Sequence, residues 1–187
     1  MTAKDIVKDP YVLDFLDIPK KAHVSEKYLE QRIINNLQLF LLELGKGFAF
    51  VARQFKIPIG SKPHSVDLVF YHRILKCFVL FDVKTRPFRH SDTGQMNSYL
   101  NYFIKEENEV NDNEPIGIIL SAEKDEILVE YALGGLSNKI FVSKYQLYLP
   151  DKKELKKQVT DFILPEAGRL PALKKPDAIK KLKSIAK

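Results

Sequence analysis

Three residues within eighteen positions carry the chemistry in this chain: Asp67, Asp82 and Lys84, inside HSVDLVFYHRILKCFVLFDVK at 64–84. The stretch reads as two strands joined by a tight turn. Side chains alternate along a strand, so Asp82 and Lys84 share one face with Phe78 and Leu80, while Phe81 and Val83 point the other way. A strand apolar on both faces belongs in the middle of a covered sheet. A carboxylate and an ammonium at its end cost several kcal/mol unless they are paired or bind an ion. An acidic-x-Lys triplet alone means little: with 24 acidic residues and 24 lysines, roughly three are expected by chance, and three are present, at 82–84, 151–153 and 154–156. The last two lie in polar, lysine-rich sequence. Only the first is set into an apolar strand with another acidic strand just before it.

The elements that must position these groups follow from periodicity and punctuation. Residues 1–24 read as an N-terminal arm with a Pro-bounded apolar cluster around Tyr11, Leu13 and Phe15. Ser25 is an N-cap for one amphipathic helix running to Gly45 and Gly47, with Ile33, Ile34, Leu37, Leu41 and Leu44 as its stripe. Glu30 falls on that stripe, either as a boundary residue or as an acid directed at the sheet. Phe48–Ile57 reads as the first strand, followed by the strands carrying Asp67 and Asp82. A basic loop, 85–90, then leads to a helix capped by Ser91 or Asp92, with Gln95 in its first turn and Met96, Tyr99, Leu100 and Phe103 inward. Residues 115–121 read as a central parallel strand and 139–145 as a last strand, while 125–136 suits either a helix or a strand, with the stop at Gly134 and Gly135 favouring a short helix. Helix, three strands, helix and strand in that order make an α/β sandwich.

Glu30, Asp67, Asp82, Lys84 and Gln95 thus come from two helices and two neighbouring strands. Carboxylates brought together repel, and a hard cation such as Mg²⁺ or Mn²⁺ relieves this because it prefers oxygen ligands. A lysine two residues from a ligand is suited to hold or deprotonate a water aimed at phosphorus. This is equipment for phosphodiester hydrolysis. The alternative is a structural Asp82–Lys84 ion pair.

Composition bounds the rest. At 187 residues, 45% hydrophobic and with 12 Phe, the chain has enough apolar material for one ordered core, placed at 25–150. The lone Cys77 reads as a small core residue; with no cysteine pair and no signal peptide, a cytoplasmic location is expected. No apolar run approaches the roughly 20 residues of a membrane-spanning helix, so no membrane partner is expected. Residues 151–187 hold eleven Lys/Arg against five Asp/Glu and carry the whole net charge of +6. A basic tail on a neutral body suits a polyanion such as nucleic acid, or is a solvated helix. His23, His64, His72 and His90 have no metal-ligand spacing, and surface or turn roles are expected for His64 and His72. Arg86, Arg89 and His90 leave the Asp82 strand directly, where they are suited to clamp phosphates.

The chain resembles the PD-(D/E)xK nuclease superfamily and, within it, the C-terminal domain of YhcG-type proteins. The resemblance runs through DPYVLDFL (9–16), FLLELGKGFAFVARQ (40–54), VDLVFYHRILKCFVLFDVKT (66–85), GQMNSYLNYF (94–103), EPIGIIL (114–120) and VEYAL (129–133). It implies a restriction-endonuclease-like αβββαβ sandwich, a central mixed sheet flanked by helices. It further implies a metal-dependent nuclease acting on DNA, with Asp67 and Asp82 as metal ligands, Lys84 as catalytic lysine, Glu30 as first-helix acid and Gln95 as second-helix glutamine. The family usually has Glu at the position of Asp82, and YhcG-type proteins usually carry a separate helical N-terminal region that can supply specificity. A homodimer is compatible with this reading. The competing function is a nucleic-acid-binding or assembly module that keeps the fold without turnover.

Overall fold

In the computed structural model, residues 1–148 are described except for 21, 61, 62, 137 and 138; the basic segment 151–187 lies outside the described residues. Six strands form one sheet in the order β1-β6-β5-β4-β3-β2. They are β1 (Tyr11–Val12), β2 (Phe48–Ile57), β3 (His64–His72), β4 (Cys77–Pro87), β5 (Ile116–Glu123) and β6 (Lys139–Gln146). β2, β3 and β4 form an antiparallel meander, and β5, β6 and β1 continue it in parallel. Helices α1 (Glu26–Asn35) and α2 (Leu37–Leu44) precede the meander, α3 (His90–Tyr102) connects β4 to β5, and α4 (Glu126–Leu133) connects β5 to β6. This is the expected αβββαβ order with a mixed central sheet.

Both faces of β4 are covered, as its double apolar pattern requires. On one face Phe81 packs in a ring cluster with Phe70 and Phe40, at centroid separations of 5.5 and 5.9 Å, beneath α2. On the other, Leu80 and Ile119 meet Met96, Tyr99 and Leu100 of α3. Gly117 lets α3 come this close, because a Cβ there would stand 2.5 Å from Met96 Cγ. Each large apolar side chain buried this way contributes about 1.5–3 kcal/mol, so the position of β4 between the two layers is held from both sides.

Several local expectations are corrected. The single helix expected from Ser25 to Gly45 is two: Asn36 leaves helical geometry at φ −118°, and its side chain donates to the Arg32 carbonyl at 2.9 Å. Asparagine competes for helix backbone groups in this way. After the break Phe40 and Leu44 are the buried residues of α2, while Leu37 and Leu41 are only partly covered. The N-terminal arm contributes a strand, since β1 pairs with β6. Residues 85–87, expected as loop, continue β4, and α3 is entered through Arg89, with Asp92 accepting the Arg89 N–H at 2.9 Å. His72 is fully buried rather than at a surface turn: Nε2 faces the Lys46 carbonyl and Nδ1 accepts the Leu75 N–H, each at 3.1 Å. Cys77 is 1% exposed and burial pushes its thiol up to about 11, which makes it an inert core residue.

Candidate active site

The site begins where the β3–β4 ladder stops. Pairing runs from His72↔Cys77 to Leu68↔Phe81, and the next pair in that register would be Asp67 and Asp82. There the Asp67 side chain takes over: its Oδ2 accepts the Val83 N–H at 2.7 Å, in place of a backbone carbonyl. β4 meanwhile stays paired to β5 as far as Lys84↔Ser121. The two strands therefore fork, and both aspartates stand at the fork.

Asp82 and Lys84, on one face of β4, form a buried pair. Nζ lies 3.1 Å from Oδ1 and 2.9 Å from Oδ2, with Asp82 2% and Lys84 7% exposed. The ammonium therefore lies against both oxygens of the carboxylate. Burial raises the Asp82 carboxyl to about 7, and Asp67 adds to this, while Lys84 opposes it. Burial also raises Asp67, against the Val83 N–H and Lys84. Lys84 behaves conversely: burial disfavours its charge, yet Asp82 holds the ammonium above its ordinary range.

Glu30 reaches the same fork from α1. It is buried, and Gln54 Nε2 donates to its Oε2 at 2.6 Å and to Asp67 Oδ1 at 3.0 Å. Gln54 is on β2, between the Arg53↔Leu68 and Phe55↔Val66 pairs and so opposite Asp67. Its backbone is left-handed, φ +47°, at a cost of about 1–2 kcal/mol for a side chain of this type. A groove of about 580 Å³ opens over this bridge, with Lys27, Gln31 and Arg53 along it.

The fork thus brings together Glu30, Asp67, Asp82 and Lys84. Gln95 is not among them: its Nε2 donates to the Tyr99 hydroxyl one turn further along α3. Arg86 holds Asp92 through two nitrogens, at 2.9 and 2.7 Å, whereas Arg89 and His90 are exposed. Sequence reasoning missed Gln54, since a polar residue in an alternating strand reads as surface; its only signal was its place at the end of the block at 40–54.

Among the described residues no three His, Cys, Asp or Glu side chains converge into a metal cage. The donor set nevertheless fits a hydrated hard cation, which needs only one or two carboxylates and keeps several waters. Each Asp67 oxygen accepts one hydrogen bond, leaving a second lone pair. Among the described residues no helix is long and apolar enough to cross a membrane.

Comparison with known proteins identifies the family of the chain. The model of the YhcG PDDEXK nuclease domain family matches residues 4–160. A protein of Escherichia coli (strain K12) named "Putative nuclease YhcG" is 43% identical over 165 residues, which are 87% of this chain and 44% of that protein. The chain therefore spans less than half the length of this relative. Among solved structures, a repair endonuclease from Pyrococcus abyssi superposes with a TM-score of 0.44 at 16% identity, over 67% of this chain and 50% of that one. An EndoMS–dsDNA2 complex gives 0.47 at 14%, over 68% and 49%.

Proposed function

The chain belongs to the YhcG PDDEXK nuclease domain family, and on that premise we propose that it hydrolyses phosphodiester bonds in DNA with Mg²⁺ or Mn²⁺. The observation that carries this reading is the buried Asp82–Lys84 pair at the fork beside Asp67. Asp67 and Asp82 would hold the ion, with Glu30 reaching it through water. A divalent ion there supplies neutralising charge at a phosphoryl oxygen and acidifies water.

The rest is work for the chain's own groups. Lys84 has three ammonium hydrogens, and what is not committed to Asp82 is available to orient the attacking water. Asp82 keeps that lysine charged, so its role here is to donate and position. Arg89 and His90, exposed where α3 begins, are suited to phosphates flanking the scissile bond. Arg86 supports them by fixing Asp92, which in turn holds the Arg89 N–H. Preference among DNA structures falls to groups outside this site, including a separate helical region or a second copy of the chain.

The test is incubation of the full chain with duplex, single-stranded and branched DNA and with RNA, with Mg²⁺ or Mn²⁺ against chelator. Metal-dependent cleavage of DNA is expected, and Lys84→Ala should lose most of it while still binding Mn²⁺. A wild-type protein inert on every substrate would replace the enzyme with a binding module of the same fold.

A further inference from the structure

We propose that Gln54 is a positioning residue that sets the geometry of the cation site, an inference that rests on the metal-dependent reading above. Its amide touches carboxylates from two elements, Glu30 of α1 at 2.6 Å and Asp67 of β3 at 3.0 Å. Ionised carboxylates only accept hydrogen bonds, so the atom between them is the amide nitrogen, and the Ser65 hydroxyl donates to the amide oxygen at 2.9 Å on the other side. Both ends of the amide are thereby fixed.

The consequence for Asp67 is specific. Val83 N–H holds its Oδ2 and Gln54 holds its Oδ1, so the carboxylate plane cannot turn. One lone pair on each oxygen stays directed at the fork. Glu30 is held by Oε2 alone, which leaves Oε1 for a water of the ion. Gln54 is also a donor shared by the two carboxylates, which offsets part of the cost of holding like charges close together.

The backbone supports the same conclusion. Gln54 is an exposed residue of β2, an edge strand of the sheet, yet it adopts φ +47°. A surface glutamine has no reason to leave extended geometry, and strain of this kind persists where surrounding bonds over-determine it. The bonds that do so here are those to the two carboxylates and to Ser65.

The experiment measures Mn²⁺ binding by electron paramagnetic resonance and thermal melting on the full chain, for wild type, Gln54→Met, Gln54→Gly and Asp67→Asn. Methionine keeps the length and removes the donors; glycine removes the side chain and accepts the backbone. Both Gln54 variants are expected to bind Mn²⁺ about 10-fold or more weakly, the usual range for groups that orient ligands, with no fall in melting temperature. The Mn²⁺ concentration for half-maximal cleavage should rise by the same factor. Gln54→Met binding Mn²⁺ as wild type does, while Asp67→Asn loses it, would overturn the role of Gln54 and leave the nuclease reading standing. The same holds if Gln54→Met melts earlier with Mn²⁺ affinity unchanged. Wild type binding no Mn²⁺ would overturn both.

Discussion

Two carboxylates ten residues apart, Asp82 at the end of β4 and Asp92 in the first turn of α3, are each 2% exposed. Asp92 is satisfied on every side: Arg86 forks onto both oxygens and the Arg89 N–H adds a third bond. Burial works against its charge, but these partners hold its carboxyl below the ordinary range. Among the described residues Asp82 has a single partner, the Lys84 ammonium, which lies against both of its oxygens, and burial raises its carboxyl to about 7. Solvent exposure is the same for both, so exposure alone does not mark the site. What differs is the set of partners: Asp92 has a guanidinium fork and a backbone N–H, whereas Asp82 has one ammonium to share between two oxygens.

Replacing each one in turn gives the sharpest test of this contrast. Asp82→Asn should lower cleavage by about 10³-fold, because the ion's contribution to the barrier is worth several kcal/mol. Its stability at neutral pH should not fall below that of wild type, since the ionised carboxylate is poorly compensated to begin with. The reverse is expected of Asp92→Ala: a loss of about 3 kcal/mol in urea unfolding, from three charge-assisted bonds and a helix entry, with cleavage per folded molecule within a few-fold of wild type. Equal stability losses in the two variants would erase the distinction drawn here.

The contrast also explains what could be read from sequence. The Asp82–Lys84 pair was legible because it conflicts with the strand that carries it, and β4 is where two faces of apolar side chains demand a centre. Asp67 followed as the acid of the adjoining strand. Gln54 was not legible, because its left-handed backbone and its carboxylate partners are tertiary facts that an alternating pattern hides. β1 has two residues, too few for any period. The burial of His72 depends on Gly47, where a Cβ would stand 2.8 Å from Nε2, a contact between chain segments that no local pattern announces. The break at Asn36 was missed because helices tolerate a single asparagine, and only its bond to Arg32 reveals the stop.

The smallest effect is in pH, where the two carboxylates should act with opposite sign. Asp92 has a depressed folded pKa, so its contribution is fully present above the unfolded value of about 3.9 and is lost as pH falls through the folded one. Asp82 has a raised folded pKa, so its contribution is greatest below the unfolded value and is lost as pH rises through about 7. In chelator, Asp82→Asn should therefore gain stability over wild type between about pH 4 and 7 and hold that gain above. Asp92→Asn should be less stable than wild type near neutrality and converge on it in acid. Neither difference can change faster than about 1.4 kcal/mol per pH unit, the limit for one proton, and coupling to Asp67 and Lys84 will spread the first. Unfolding midpoints at several pH values measure both slopes. Mg²⁺ provides the control, because an ion on Asp82 competes with its proton and should flatten the first difference while leaving the second unchanged. Parallel slopes for the two variants would mean that Asp82, like Asp92, is already satisfied by its own partners.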